Sequence, residues 1–197
     1  PRFADVSPDE KRVVFESLGK LFVKKLPDGD PQRLTSDPGN HFELHPAWSR
    51  DGTSIVFTTW SDVDLGSVRR VRAAGGRSTI LTADPGHYRR PTFSPDGGTV
   101  VFERGTGGYL LAPEWSDAPG IYRVPAKGGT MSQVVANGRL PHFGARADRV
   151  YFNRANPGRG NGTTLMSVSL GGHDERSHLR GGLVTAYRVS PDEAHVA

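Results

Sequence analysis

The sequence predicts an all-β fold, a β-propeller built from four-stranded antiparallel blades. A ten-residue block recurs along the 197-residue chain. Its copies begin about 42 to 50 residues apart, which is the spacing of propeller blades. The 25 glycines and 15 prolines lie between short hydrophobic runs, a pattern typical of many short strands joined by tight turns. Stretches with helical periodicity are scarce.

The repeated block predicts a strand, a turn and a second strand. The three clear copies begin at Val6, Trp48 and Phe93 and read VSPDEKRVVF, WSRDGTSIVF and FSPDGGTVVF. Proline presets the backbone for a turn, aspartate accepts hydrogen bonds from turn amides, and glycine takes the left-handed conformation that closes a hairpin. The apolar run after the turn is expected to be buried. A degenerate copy, FGARADRVYF, begins at Phe143, and a fifth, VSPDEAHV, begins at Val189.

Each block is followed by a third strand, a glycine-rich turn and a fourth strand, which completes the four antiparallel strands of a blade. The predicted blades cover approximately residues 3–36, 45–83, 90–137 and 140–180, and the next blade starts at 186–197. Residues 1–197 are therefore predicted to form one propeller region.

Four complete blades and the start of a fifth predict that the chain is part of a larger propeller. Closed propellers have about four to eight blades, and an open arc would expose a blade face and strand edges. Closure with a second copy and an unusual four-bladed ring are the two alternatives, in that order. The open blade edges also predict pairing between copies, so a homo-oligomer is one expected assembly.

Composition excludes several other classes of protein. There is no cysteine, so neither a disulfide framework nor a thiolate metal site is available. The net charge of +4 comes from basic and acidic residues spread along the chain, which argues against nucleic-acid binding. No apolar run approaches the length of a membrane span. The chain opens at Pro1 directly on strand-like sequence, which predicts that the true start of the gene product is missing.

The loops that lead into the first strand of each blade are the candidate binding site. In a propeller they emerge on one face, around the mouth of the central channel, and loops on a rigid scaffold often carry binding groups. The candidates for ligand or partner binding in or beside these loops are His41, His45, His87, Tyr88, Arg89, His142 and Tyr187. The alternative is that these residues cover the ends of the blades and satisfy backbone groups.

The loop from Arg104 to Ala118 is the longest, and it adds Tyr109 and Trp115 to the candidates. Apolar side chains in a long loop predict docking against an adjoining domain or a ligand. Packing of the loop over its own blade is an equal alternative.

The sequence predicts no catalytic residue, metal site or cofactor in this chain. The serines and aspartates of the repeated block recur once per blade, so we interpret them as turn-forming residues rather than as nucleophiles or acids. They are Ser7, Ser49, Ser94 and Ser190, with Asp9, Asp51, Asp96 and Asp192. His41 and His45 have the spacing of a helical metal pair, but Pro46 and a strand follow them, so a shared metal is not expected.

The repeated block, with its later Gly-Gly turn and its Leu-Thr ending, resembles the TolB-type β-propeller repeats, which are WD40-like. The endings are Arg33-Leu34-Thr35 and Ile80-Leu81-Thr82. Non-repeating segments resemble the N-terminal propeller portion of bacterial amidohydrolase-family proteins. These segments include Pro85-Gly86-His87-Tyr88, Pro119-Gly120-Ile121-Tyr122-Arg123-Val124-Pro125 and Pro141-His142-Phe143-Gly144.

The second resemblance implies a secreted or periplasmic parent protein whose chemistry lies in a downstream metal-dependent barrel. No His-x-His pair occurs in this chain, and a barrel needs about 250 further residues, so no catalytic residue is carried over. The expected function is a non-catalytic module: a scaffold, a substrate gate or a docking surface for a peptide, a protein or an adjoining catalytic domain. The alternatives are a stand-alone TolB-like interaction propeller and the propeller gate of a prolyl-oligopeptidase-like peptidase.

Overall fold

The computed structural model describes residues 1–105, 118–156, 162–182 and 184–197. These residues form sixteen β-strands and, within the described ranges, no helix. None of the described segments is therefore a helix that could cross a membrane.

The strands form four sheets of four, and each sheet uses consecutive strands of the chain. The first blade contains β1 (Arg2–Val6), β2 (Arg12–Ser17), β3 (Lys20–Lys25) and β4 (Gln32–Arg33). The second contains β5 (Phe42–Trp48), β6 (Ser54–Ser61), β7 (Leu65–Arg72) and β8 (Thr79–Ile80). The third contains β9 (Tyr88–Phe93), β10 (Thr99–Arg104), β11 (Gly120–Pro125) and β12 (Ser132–Ala136). The fourth contains β13 (Arg139–Phe143), β14 (Arg149–Ala155), β15 (Thr163–Ser169) and β16 (Arg176–Gly181).

All neighbouring strands within a blade are antiparallel, so the predicted all-β fold of four-stranded blades is confirmed. A further hairpin follows the fourth blade, where Val189 pairs with Val196. Its backbone bonds between Arg188 and Ala197 measure 2.8 and 2.9 Å. This hairpin lies at the position predicted for the start of a fifth blade.

The turn of the repeated block is stabilised by its serine and aspartate. The Ser94 hydroxyl accepts the Thr99 N–H at 2.9 Å and donates to Asp96, which in turn accepts the Gly98 N–H at 3.0 Å. The same bonds recur in the copies that begin at Val6, Trp48 and Val189. The serine hydroxyl is the main reason that the pKa of each of these aspartates lies below its usual value. These residues therefore form turns, as the repetition predicts.

The degenerate fourth copy lacks the serine of its turn and contacts the hairpin that follows it. Gly144 replaces the serine, so this turn has no hydroxyl of its own at that position. The Glu193 carboxylate of the fifth hairpin accepts the Ala145 N–H at 3.0 Å. This bond joins the fourth turn to the hairpin, but it does not replace the serine, which accepts the N–H five residues further along in the other copies.

Three buried clusters fill the three junctions between consecutive blades. The phenylalanines that end the second, third and fourth copies of the block are central to these clusters, and Phe57, Phe102 and Phe152 are all 0% exposed. Each of them packs against the preceding blade, as Phe57 does against Leu21 and Leu34. Burying such a side chain contributes about 1.5–3 kcal/mol, so the blades stabilise one another mainly through these clusters.

The Gly-Gly turns join neighbouring blades at their outer edge. The Gly76 N–H donates to the Leu34 carbonyl at 3.0 Å, and Thr35 forms a parallel bridge with Gly76. A Cβ on Gly75, whose φ is +86°, would lie 2.8 Å from the same carbonyl oxygen. Only glycine combines this backbone conformation with so close an approach. The repeated Gly-Gly therefore serves blade packing as well as the turn.

Candidate functional site

The innermost strands of the four blades line a central cleft of about 560 Å³. Strands β1, β5, β9 and β13 lie side by side in this order, and residues 186–188 of the fifth hairpin complete the lining. The cleft is therefore built from equivalent positions of successive repeats.

Each innermost strand has a bulge at the same position of the repeat. The bulged residues are Phe3, His45, Arg90 and Leu140, with φ of 52°, 52°, 48° and 55°. The pairing register with the second strand shifts beside each of them. A non-glycine residue at positive φ costs about 1 kcal/mol or more, and a bulge changes the direction of its side chain. All four residues line the cleft.

The bulged residues share one backbone conformation but differ in their side chains. The conformation recurs in every blade, which identifies it as part of the propeller architecture. The side chains are an aromatic ring, an imidazole, a guanidinium and an aliphatic group, so the cleft surface differs from blade to blade. Of these four, sequence reasoning selected only His45. The available signal was the X-Pro pair that precedes the block in three copies: His45-Pro46, Arg90-Pro91 and Leu140-Pro141.

A second set of residues, which sequence reasoning also missed, forms hydrogen bonds that hold the innermost strands in place. The residue after each repeated phenylalanine is polar and buried: Glu16, Thr58, Glu103 and Asn153. Glu103 accepts hydrogen bonds from the Arg90 guanidinium at 3.0 and 3.2 Å and from the Leu140 N–H. Asn153 exchanges hydrogen bonds of 2.7 and 2.9 Å with the Tyr187 backbone. Glu103 and Asn153 thus connect their blades to the next one, whereas Glu16 and Thr58 bond to the innermost strand of their own blade. The repeated polar position was the signal.

Two of the candidates predicted from the sequence, His45 and Tyr187, lie in the cleft. The His45 ring packs on Phe3 with 4.3 Å between centroids, and its Nδ1 lies 3.2 Å from the Thr58 hydroxyl. Burial is the main reason that the pKa of His45 falls to about 4, and the positive charges of Arg90 and Arg89 add to the effect. His45 is therefore neutral at physiological pH.

Tyr88 and His142 are buried between blades and are not available to a ligand in this structure. The Tyr88 hydroxyl donates to the Asp84 carbonyl at 2.9 Å, and burial raises its pKa to about 12. His142 is 5% exposed. Its Nδ1 donates to the Leu140 carbonyl at 2.9 Å, and its Nε2 accepts the Val189 N–H at 3.0 Å. Burial lowers the pKa of His142 to about 4. Both residues belong to strands, β9 and β13, whose alternation turns them inward.

The other described candidates do not line the cleft. The His87 ring lies 5.0 Å from the Trp60 ring, and its Nε2 is 3.3 Å from an Arg89 nitrogen. His41 lies beside Glu43, with its Nε2 3.8 Å from the carboxylate, and burial lowers its pKa. The candidate residues predicted from the sequence therefore do not form one site: two line the cleft, two are buried between blades, and the other described ones lie elsewhere.

Tyr109 and Trp115 lie outside the described residues. Within the part of the chain that is described, no three His, Asp or Glu side chains form a group that could hold a metal ion.

Comparison with known proteins supports the resemblance to TolB. No family model matches the sequence. The Tol-Pal system protein TolB of Francisella tularensis (strain SCHU S4 / Schu 4) is 29% identical over 92 residues, which cover 47% of this chain and 19% of that protein. The match thus spans about a fifth of the length of this curated relative.

Solved structures share the fold across nearly the whole chain. An oligogalacturonate lyase in complex with manganese superposes with a TM-score of 0.76 at 15% identity, covering 98% of this chain and 56% of that one. The tricorn protease gives 0.70 at 11% identity, covering 98% and 23%. TolB from Acinetobacter baumannii gives 0.69 at 20% identity, covering 98% and 47%. At such identities the likeness concerns the fold alone, and the chain is a β-propeller similar to that of TolB.

Proposed function

We propose that this chain is a non-catalytic docking module that binds a peptide, or an extended segment of a partner protein, in the central cleft. One observation carries the proposal. The same strained backbone bulge presents a different side chain from each blade, namely Phe3, His45, Arg90 and Leu140. A rigid scaffold with a variable lining is what specific binding requires.

The size and chemistry of the cleft suit a short stretch of peptide. Its volume lies within the range of about 300–1,000 Å³ that is usual for ligand pockets. Phe3, packed against His45, is 42% exposed and offers an apolar surface at one side. Arg90 offers a cation at the other side, with a side chain that is 45% exposed. A segment with an apolar side chain and polar groups would complement both.

The similarity to TolB favours a stand-alone interaction propeller, and we place the protein in the periplasm or outside the cell on the same basis.

A second candidate is a propeller that gates or scaffolds an adjoining catalytic domain. It is favoured by the likeness in fold to the tricorn protease and to prolyl endopeptidases. A downstream amidohydrolase barrel stays a prediction from the sequence resemblance. The full reading frame distinguishes these candidates. A barrel strand with His-x-His, or a serine hydrolase domain, would identify the chain as a propeller that gates or scaffolds a catalytic domain.

Selection of a random heptapeptide library displayed on phage, with the immobilised chain as bait, tests the docking function. We expect recurrent peptides whose dissociation constant, measured by calorimetry, rises about tenfold in Phe3→Ala, since a lost aromatic contact in a pocket is worth about 1.4 kcal/mol or more. Leu18→Ala is the matched control, because Leu18 is 98% exposed in the hairpin between β2 and β3. Unchanged affinity in both Phe3→Ala and His45→Ala would move the binding surface away from the cleft.

A further inference from the structure

A second recess, of about 500 Å³, opens beside the central cleft, lined mainly by the fourth blade with Arg90 from the third. Arg90 and Leu140 line both spaces, so the recess continues the cleft. The cations in its lining are Arg90 and Arg139. The remaining polar side chains there are asparagines and threonines.

Three of the four neutral polar side chains of the recess form hydrogen bonds within the protein. Asn153 is bonded to the Tyr187 backbone, and the Thr163 hydroxyl donates to the Thr185 carbonyl at 3.1 Å. The Asn156 amide donates to the Gly181 carbonyl, also at 3.1 Å. These bonds shape the recess, and they leave the two guanidinium groups as its charged donors toward a ligand, beside the hydroxyl of Thr185.

Both arginines keep donor capacity. Glu103 contacts only the Nη1 of Arg90, and half of that side chain is accessible. Among the described residues, no carboxylate lies within ion-pair distance of Arg139, which is exposed at the start of β13. Glu103 also binds the N–H of Leu140, the neighbour of Arg139. One buried carboxylate therefore fixes the Arg90 side chain and the backbone beside Arg139.

The electrostatics of the surrounding cleft agree with this arrangement. After burial, the positive charges of Arg90 and Arg89 are the next causes that lower the pKa of His45. The charge of Arg188 acts in the same direction on His142. Asp5 also lines the cleft, where one oxygen of its carboxylate accepts the Trp48 N–H at 2.8 Å and the charge of Arg188 acts on it. Because Arg90 is paired with Glu103, Arg139 supplies the unpaired positive charge in the lining of the recess.

We infer that Arg90 and Arg139 bind a carboxylate of the docked peptide, so that the module prefers acidic peptides. The inference rests on the proposed docking function and specifies its ligand. Guanidinium groups offer paired donors that match the two oxygens of a carboxylate, and such charge-assisted bonds are stronger than neutral ones. A free small anion such as phosphate presents the same chemistry, and the test must distinguish the two.

The heptapeptide selection described above gives the first readout. We expect Asp and Glu to be enriched in peptides selected on the wild-type chain, and the enrichment to vanish on Arg139→Gln while apolar residues stay enriched. If no peptide is selected at all, the docking function itself fails. Selected peptides without acidic enrichment would overturn only the carboxylate site.

Calorimetry with one selected peptide gives the second readout. Replacing its acidic residue by glutamine should weaken binding to the wild-type chain about tenfold, and binding to Arg139→Gln less than about twofold. Arg139→Lys should fall between, because lysine keeps the charge and loses the paired donors. Arg77→Gln, the same change at an exposed position in the second blade, is the control and should behave as wild type.

Inorganic phosphate, titrated alone, distinguishes the source of the anion. Weak or absent binding of phosphate, together with the effect of the peptide carboxylate, supports the inference. Phosphate binding that matches the peptide in affinity and is lost in Arg139→Gln would identify a small-anion site and overturn the peptide assignment. Equal loss of affinity in Arg77→Gln and Arg139→Gln would show that only net charge matters, and would also overturn it.

Discussion

Phe102 and Arg90 lie on neighbouring strands of the third blade and differ in what their positions do. Phe102 has a counterpart in each of the other three complete blocks, is fully buried, and packs between blades. Arg90 shares its backbone conformation with the equivalent residues of other blades, but its side chain is unshared and lines the cleft. The contrast teaches that repeated side chains build the propeller, whereas unrepeated side chains at a repeated backbone position form its binding surface.

The first blade shows which neighbour buries a repeated phenylalanine. Phe15 has the same position in its block as Phe102, yet it is only half-buried. Its aromatic neighbour is Phe22, on the adjacent strand, at 6.1 Å between centroids. Because the other phenylalanines face the preceding blade, burial at this position is provided by that blade and not by the strand itself.

The largest expected effect compares these two phenylalanines directly. Phe102→Ala should lower the free energy of unfolding by about 3–5 kcal/mol, the usual cost of emptying a buried aromatic site. Phe15→Ala should cost about 1 kcal/mol, since part of its surface already meets water. Urea denaturation of the two variants and the wild type provides the measurement. Equal losses of unfolding free energy in the two variants would show that this phenylalanine stabilises its own blade. That result would contradict the role assigned to the preceding blade.

Acidification should weaken the junction between the fourth blade and the fifth hairpin. Below pH 6.5 the unfolded chain protonates His142, whereas the folded chain keeps it neutral down to about pH 4. Stability is therefore complete above pH 6.5 and is lost as the pH falls toward 4, by about 3 kcal/mol for this residue. His45 adds a loss of the same sign.

Unfolding free energies measured between neutral pH and about pH 4 test this. His142→Gln should reduce the dependence on pH, and His173→Gln, in an exposed turn, should leave it unchanged. An identical pH profile for wild type and His142→Gln would mean that the unrepeated His142 does not hold the junction.

The sequence predicted those features that depend on neighbours close along the chain. The bonds of Ser94 with Asp96 and Thr99 lie within one short turn, so residue types and spacing sufficed. The burial of Tyr88 could not be predicted in this way, because it depends on where β9 begins and on packing with Phe102 on the next strand. The carboxylate of Glu103 meets the next blade at Leu140, a contact that only the blade arrangement reveals.

A smaller effect is expected at the turn itself. Ser94→Ala removes the hydroxyl that accepts the Thr99 N–H, and loss of one buried hydrogen bond costs about 1–2 kcal/mol. The pKa of Asp96 should rise toward its usual value, because the serine is the main cause of its depression. Urea denaturation and NMR titration of the Asp96 carboxyl measure the two changes. A loss of stability with no change at Asp96 would assign the serine a role in packing alone.

The smallest expected effect on stability completes the comparison. Phe3→Ala should change the free energy of unfolding by only about 0.5 kcal/mol, since Phe3 is 42% exposed and its main contact is the His45 ring. The same variant is expected to lose most of its peptide affinity. Phe102→Ala, measured under conditions where it stays folded, should retain that affinity. Repeated side chains are expected to stabilise the fold, and bulged side chains are expected to bind the ligand. The two variants should therefore have opposite effects on stability and on peptide affinity. A Phe3→Ala protein as unstable as Phe102→Ala would show that the bulged side chains are part of the core.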